Sequence, residues 1–169
     1  VATRNEYYAL RRRFEPETAK LLVVAESPPA SGKYFYDTSG AITEPLFAAL
    51  MQQIDCSPAS KEDGLRAFQQ RGWVLADATY APVNRLSDRA RDAVIVRGYP
   101  LLRGDLTALS PDHSAPVVLL KANVCRLLDE RLAGDGFRVL NRGRVVYFPS
   151  HGRQKEFHQQ FGEIVGAIR

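Results

Sequence analysis

The sequence predicts one α/β domain with three layers, α/β/α, around a central, mainly parallel sheet of four strands. Three observations predict it. Short apolar runs rich in Leu and Val recur along the chain, at 21–25, 73–76, 116–120 and 145–148. Such runs suit strands buried on both faces of a parallel sheet. Segments with apolar residues at helical spacing separate them, so successive strands are joined by crossovers that cover both faces. No repeat, low-complexity stretch or linker interrupts the pattern. The 169 residues are therefore read as one domain, 1–169, long enough to bury a core.

Each element follows from local signals. Residues 5–14 read as a helix with Tyr7, Leu10 and Phe14 on one face. Lys20 to Ala25 is the first strand, and it stops at Glu26 before the loop SPPASG. Thr43 is expected to cap a helix with Pro45 in its first turn, carrying Leu46, Phe47, Leu50, Met51 and Ile54. Ser60, with Asp63 three residues on, opens a helix that ends near Gly72. Trp73 to Ala76 is the second strand, ending at Asp77, and 78–86 is a loop. Ser87 to Arg97 reads as a helix, and Pro100 is expected to break the pattern. Pro116 to Leu120 is the third strand. Ala122 to Ala133 is an amphipathic helix closed by Gly134. Arg138 to Leu140 is a short extra strand with Asn141-Arg142-Gly143 as its turn, and Val145 to Phe148 is the last main strand. Phe157, Phe161, Ile164, Val165 and Ile168 mark a final helix.

Composition narrows the function classes. The net charge of +4 and pI near 9.2 permit contact with a phosphate backbone without requiring it. No apolar stretch approaches the length of a membrane span, and the start does not read as a secretory signal, so a cytoplasmic, monomeric protein is expected. Cys56 and Cys125 are too few for a disulfide framework or a cysteine-held cluster and read as buried reduced thiols. His113, His151 and His158 lack metal-ligand spacing, and neither a metal nor another cofactor is expected. The cluster Arg11, Arg12 and Arg13 reads as a solvated surface. The chain has no phosphate-binding G-x-x-x-x-G-K-S/T loop, no G-x-G-x-x-G and no G-x-S-x-G, which disfavours ordinary nucleotide binding and α/β-hydrolase chemistry.

In a parallel sheet of this kind ligands bind outside the carboxyl ends of the strands. Four segments then converge: Glu26 to Tyr36, Asp77 to Asn84, Lys121, and Pro149 to Arg153. Glu26 directly follows a buried strand, where partial desolvation would raise its pKa and suit it to act as a base. From composition alone the preferred reading is that Glu26 pairs with a nearby Lys or Arg and that Phe35 is plain core. Asp37 is a rival carboxylate, ranked second. Asp77 reads either as a ligand-facing group or as a loop cap. Lys121 reads as a surface lysine with a buried stem.

The segment Ala25-Glu26-Ser27-Pro28-Pro29, followed by Gly32-Lys33-Tyr34-Phe35-Tyr36-Asp37-Thr38-Ser39-Gly40 and a helix, resembles the first signature of the uracil-DNA glycosylase superfamily, in particular its thermophile-type branch. That branch reads roughly G-E-A-P-G, then G-R-P-F-V-G-R-A-G. Glu26, Pro28, Gly32, Phe35 and Gly40 match in register. The superfamily's last strand ends in H-P-S, and this chain has Phe148-Pro149-Ser150-His151-Gly152-Arg153. The resemblance covers nearly the whole chain from residue 20 onward. Three departures stand out: Ala25 replaces the first glycine, Phe148 replaces the motif histidine, and two cysteines cannot supply the branch's iron–sulfur cluster.

The resemblance implies hydrolysis of the N-glycosidic bond of uracil or a related deaminated base, flipped out of DNA into a pocket at the strand ends. Glu26 would orient or activate water, and His151 would stand in for the missing histidine. Ala25, Ser27 and Pro28 would border the base, Phe35 would stack on it, and Asp77 or Asn84 would read its edge. Ser150, Gly152, Arg153 and Lys155 would contact DNA. The alternative is a catalytically silent nucleic-acid-binding module on the same fold.

Overall fold

A computed structural model describes residues 2–169. The chain runs α1 (Arg4–Arg12), β1 (Leu21–Ala25), α2 (Pro45–Gln53), α3 (Lys61–Gln70), β2 (Trp73–Asp77), α4 (Asp88–Arg97), α5 (Tyr99–Leu109), β3 (Val117–Leu119), α6 (Ala122–Gly134) and α7 (Gln154–Gly166). The strands form one parallel sheet in the order β2-β1-β3. All three are buried along their whole length, which is why their sequences are continuously apolar rather than alternating. Helices α3 and α5 contact β2, and α6 contacts β3. Among the helices, α2 packs on α7, while α4 packs on α5 and α6. None of these helices is long and apolar enough to cross a membrane.

The sheet has three strands where the sequence pattern predicts four. Beyond β3 the chain makes one parallel bridge, Val117 to Val139, in place of the short extra strand. The buried side chain of Asn141 then takes over the ladder. Its Oδ1 accepts from the Leu119 amide at 2.6 Å, and its Nδ2 donates to the Leu119 carbonyl at 3.0 Å. An amide side chain offers the donor and acceptor of a peptide group, so it closes the edge of β3 without a strand. Arg142 and Gly143 then adopt left-handed backbone (φ 43° and 83°) and turn the chain away. The segment 145–148 returns beside the end of β3 with a single bond, from the Lys121 amide to the Val146 carbonyl, and is not a strand.

The opposite edge is closed by tyrosines. The Tyr36 hydroxyl accepts from the Leu75 amide at 2.8 Å, and the Tyr80 hydroxyl from the Asp77 amide at 3.3 Å. Both donors belong to β2, whose outer side has no neighbouring strand.

Further departures have local causes. Pro100 does not end the helical region but sits in the first turn of α5, where its missing N–H costs nothing. Gly98 closes α4 and opens α5, so two helices follow each other without a loop. The cap of α2 is Glu44 rather than Thr43. Arg12 and Arg13 are exposed, but Arg11 is 3% exposed and is no surface residue. Its guanidinium donates to both Asp105 oxygens at 2.8 and 2.7 Å and to the Tyr80 hydroxyl at 3.2 Å. Cys125 is buried, whereas Cys56 is only half-buried; both thiols are free.

Candidate functional site

A cleft of about 490 Å³ opens at the carboxyl ends of the strands. Its walls come from all four segments that the sheet topology directs there. Ala25, Glu26, Ser27, Pro28, Tyr34 and Phe35 follow β1, Asp77 and Asn84 come from the end of β2 and its loop, Lys121 follows β3, and Phe148, Ser150 and His151 close the far side. Glu26 and Ser150 therefore face one shared cavity. Its size lies within the range of about 300–1,000 Å³ typical of small-molecule sites.

The loop after β1 is fixed by a buried lysine. Lys61, at the start of α3, is 2% exposed and donates at 2.9 Å both to the Tyr34 carbonyl and to Glu44. The other Glu44 oxygen accepts from the Ala41 amide at 3.0 Å. Two glycines make this possible. Gly32 has φ of 81°, open to residues without a Cβ at little cost. A Cβ on Gly40 would lie 2.0 Å from Glu44 Oε1, so only glycine leaves room for the Glu44–Lys61 pair.

The aromatic triplet of that loop divides its work. Tyr36 clasps the sheet edge and does not reach the cleft. Phe35 lines the cleft but is also packed against Tyr36, Phe47 and Phe68 at centroid distances of 4.9–5.7 Å. Tyr34 lines the cleft as well, and its buried hydroxyl has no hydrogen-bond partner. Asp37 is occupied by the turn, accepting from the Ser39 amide and hydroxyl, and these bonds hold its pKa below the usual value. It lies in a neighbouring groove rather than in the cleft.

Glu26 is fully engaged. Lys121 donates to Oε1 at 2.7 Å, Asn123 donates to Oε2 at 2.5 Å, and the Arg91 guanidinium stands 3.9 Å from Oε2. Lys121 is no free surface lysine. It holds φ of 81° and ψ of 139°, a region that costs a residue with a side chain about 1–3 kcal/mol. Lys121 lines the cleft, and its ammonium pairs there with Glu26. Arg91 also donates to the carbonyls of Val83 and Asn84, tying the loop after β2 to α4.

Asp77 is the opposite case. It is 4% exposed, it lines the cleft, and its Oδ2 has no partner. Burial pushes its pKa up to about 8, with Asp105 and Glu26 adding to the rise and Arg11 opposing it. It is therefore not a loop cap. Asn84 stands exposed at the rim.

On the far side His151 has left-handed backbone (φ 52°), and its Nδ1 lies 2.9 Å from the Ser150 hydroxyl. Gly152, Arg153 and Lys155 do not line the cleft. Arg153 stacks on the Tyr147 ring at 3.9 Å and pairs with Glu156 at 3.4 Å, while Lys155 is exposed on the first turn of α7. The residues that sequence reasoning did not single out are Arg91, Asn123 and Lys61. Only Asn123 had a local signal, a polar residue just past a buried strand.

No protein-family model matches the chain, and no curated protein matches it.

Proposed function

We propose that the protein is a DNA glycosylase that hydrolyses the N-glycosidic bond of uracil or a related deaminated base flipped out of DNA, on a three-layer uracil-DNA glycosylase-like fold in a cytoplasmic setting. One observation carries the reading. The two segments that resemble the superfamily's signatures, 25–35 and 148–151, line a single cleft at the strand ends. The two free thiols fit a reducing compartment.

In this reading the carbon–nitrogen bond breaks with its electron pair on the base, water adds to the sugar carbon, and the proton lost by water returns to the base. The sugar passes through a cationic stage, and the Glu26 carboxylate is the negative group that offsets that charge and orients the water. Lys121, Asn123 and Arg91 hold Glu26 in place rather than leaving it free to rotate. His151 and Ser150 bound the cleft where DNA enters, and Arg153 and Lys155 lie farther along toward phosphates.

The test is base release from oligonucleotides carrying uracil, hypoxanthine or xanthine. The parent is expected to release at least one, and Glu26→Gln to slow that release by roughly a hundredfold or more. Phe35→Ala is a poor probe, because it removes a ring packed against Phe47 and Phe68.

A second reading has its own support. Both Glu26 oxygens accept hydrogen bonds, one of them from an ammonium, which favours a binding module without catalysis. Oligonucleotide binding with no base released from any of the three substrates selects that reading.

A further inference from the structure

Two residues on the wall of the cleft each carry a buried polar atom that has no partner among the described residues. Asp77 Oδ2 and the Tyr34 hydroxyl are both buried, both residues line the cavity, and neither atom has a hydrogen-bond partner. Buried polar groups are almost always paired, so two orphans in one cavity point to a ligand that pairs them.

The surroundings decide what Asp77 can offer. No cation pairs with it among the described residues. Arg11, from α1, is bidentate on Asp105 of α5 and donates to Tyr80. Lys121 and Arg91 face Glu26. Arg4, with Tyr8, shares with Asp77 only a second cavity of about 20 Å³, and no ion pair joins Arg4 to Asp77 among the described residues. Asp105 and Glu26 are like charges acting on it, and Tyr7, Tyr34, Tyr36 and Tyr80 are further titratable neighbours. A desolvated carboxyl with no cation paired to it and two carboxylates nearby favours the neutral form. A neutral carboxyl carries a proton to donate, which a carboxylate lacks.

We propose that Asp77, as a neutral carboxylic acid, and the Tyr34 hydroxyl form a donor floor that binds a carbonyl oxygen of the base. The lactam edge of a deaminated base presents such an oxygen, and negative charge grows on it as the glycosidic bond breaks. A donor placed there stabilises the departing base. The raised titration of Asp77 and the burial that keeps the Tyr34 phenol protonated agree with this geometry. The identity of the ligand rests on the glycosylase reading; the donor floor does not.

The experiment compares the parent, Asp77→Asn, Asp77→Ala and Tyr34→Phe from about pH 6 to about pH 9.5, with circular dichroism checking each fold. It has two readouts, base release from the substrate that the parent processes and binding of free uracil followed by thermal shift. Parent activity is expected to fall about tenfold per pH unit on the alkaline side of the Asp77 titration. Asp77→Asn keeps a donor at every pH, so it retains activity at neutral pH and loses the alkaline fall. Asp77→Ala loses roughly a hundredfold at all pH values, and Tyr34→Phe roughly tenfold. A parent that releases base while Asp77→Asn keeps the same alkaline fall overturns the donor floor and leaves the glycosylase reading standing. A parent that releases no base but binds uracil only below the Asp77 titration overturns the glycosylase reading and keeps the floor. Neither release nor binding overturns both.

Discussion

Glu26 directly follows β1, and Asp77 ends the neighbouring β2 as the register partner of Ala25. Each closes an apolar run, and each lines the cleft. Their environments are opposite. Glu26 has an ammonium, an amide and a guanidinium around it. Asp77 has an orphan oxygen and a titration pushed up to about 8. The same local pattern, a carboxylate after a buried strand, thus yields a paired carboxylate in one place and a desolvated, unpaired carboxyl in the other. What separates them is where the cations are held.

The strongest way to break the contrast is at Arg11. Arg11→Met leaves Asp105 buried with its bidentate partner gone, and breaking a buried pair in this way costs about 3–5 kcal/mol. Urea unfolding should show that loss. Arg11 is also the one group that lowers the Asp77 titration. Its removal should therefore move that titration further up, seen as a carboxylic C=O infrared band persisting to higher pH. A band that disappears at lower pH than in the parent means that Arg11 does not act on Asp77.

Asp77→Asn probes the same contrast through stability. The folded-state pKa of Asp77 is raised from 3.8 to about 8, so between these values the native protein binds more protons than the unfolded chain. Stability then falls as pH rises through that window and levels off above it. The asparagine variant has no such proton to lose. It should equal or exceed the parent in stability, by a margin that grows with pH to on the order of a few kcal/mol above about pH 8. A margin independent of pH would mean that Asp77 is ionised in the native state.

Much of this arrangement is legible in the sequence. The runs at 21–25 and 73–77 are continuously apolar because both faces of their strands are buried, and the topology of parallel strands directs the following loops to one edge. Glu26 and Asp77 meet for that reason, whereas Ser150 and His151 reach the cleft from a segment that is not a strand. What is not legible are the partners. Lys121 and Asn123 lie 95 and 97 residues from Glu26, and Asp105 lies 94 from Arg11. Pairings at such separations leave no periodic trace in the chain. Arg11 sits in a run of three arginines whose other two members are exposed, and only the fold distinguishes it. The missing strand has a similar cause. Asn141 signals a turn in any sequence, but here its side chain takes the place of backbone in the ladder.

The smallest expected effect lies at the other carboxylate. Lys121→Met removes the ammonium from Glu26 but leaves Asn123 and Arg91 in place. About a third of the Lys121 side chain is exposed, so water already screens this pair. Glu26 itself is buried, but Asn123 and Arg91 still engage it, so the loss should be well below the about 3–5 kcal/mol expected at Arg11. The strained backbone at Lys121 remains in the variant, because methionine also carries a Cβ. Lys121→Gly relieves that strain while removing the same ammonium, and it should be the more stable of the two variants by roughly 1 kcal/mol. Urea unfolding of the two side by side separates backbone from charge. Equal stabilities would mean that the left-handed turn at 121 costs nothing and that the pairing with Glu26 alone holds the lysine there.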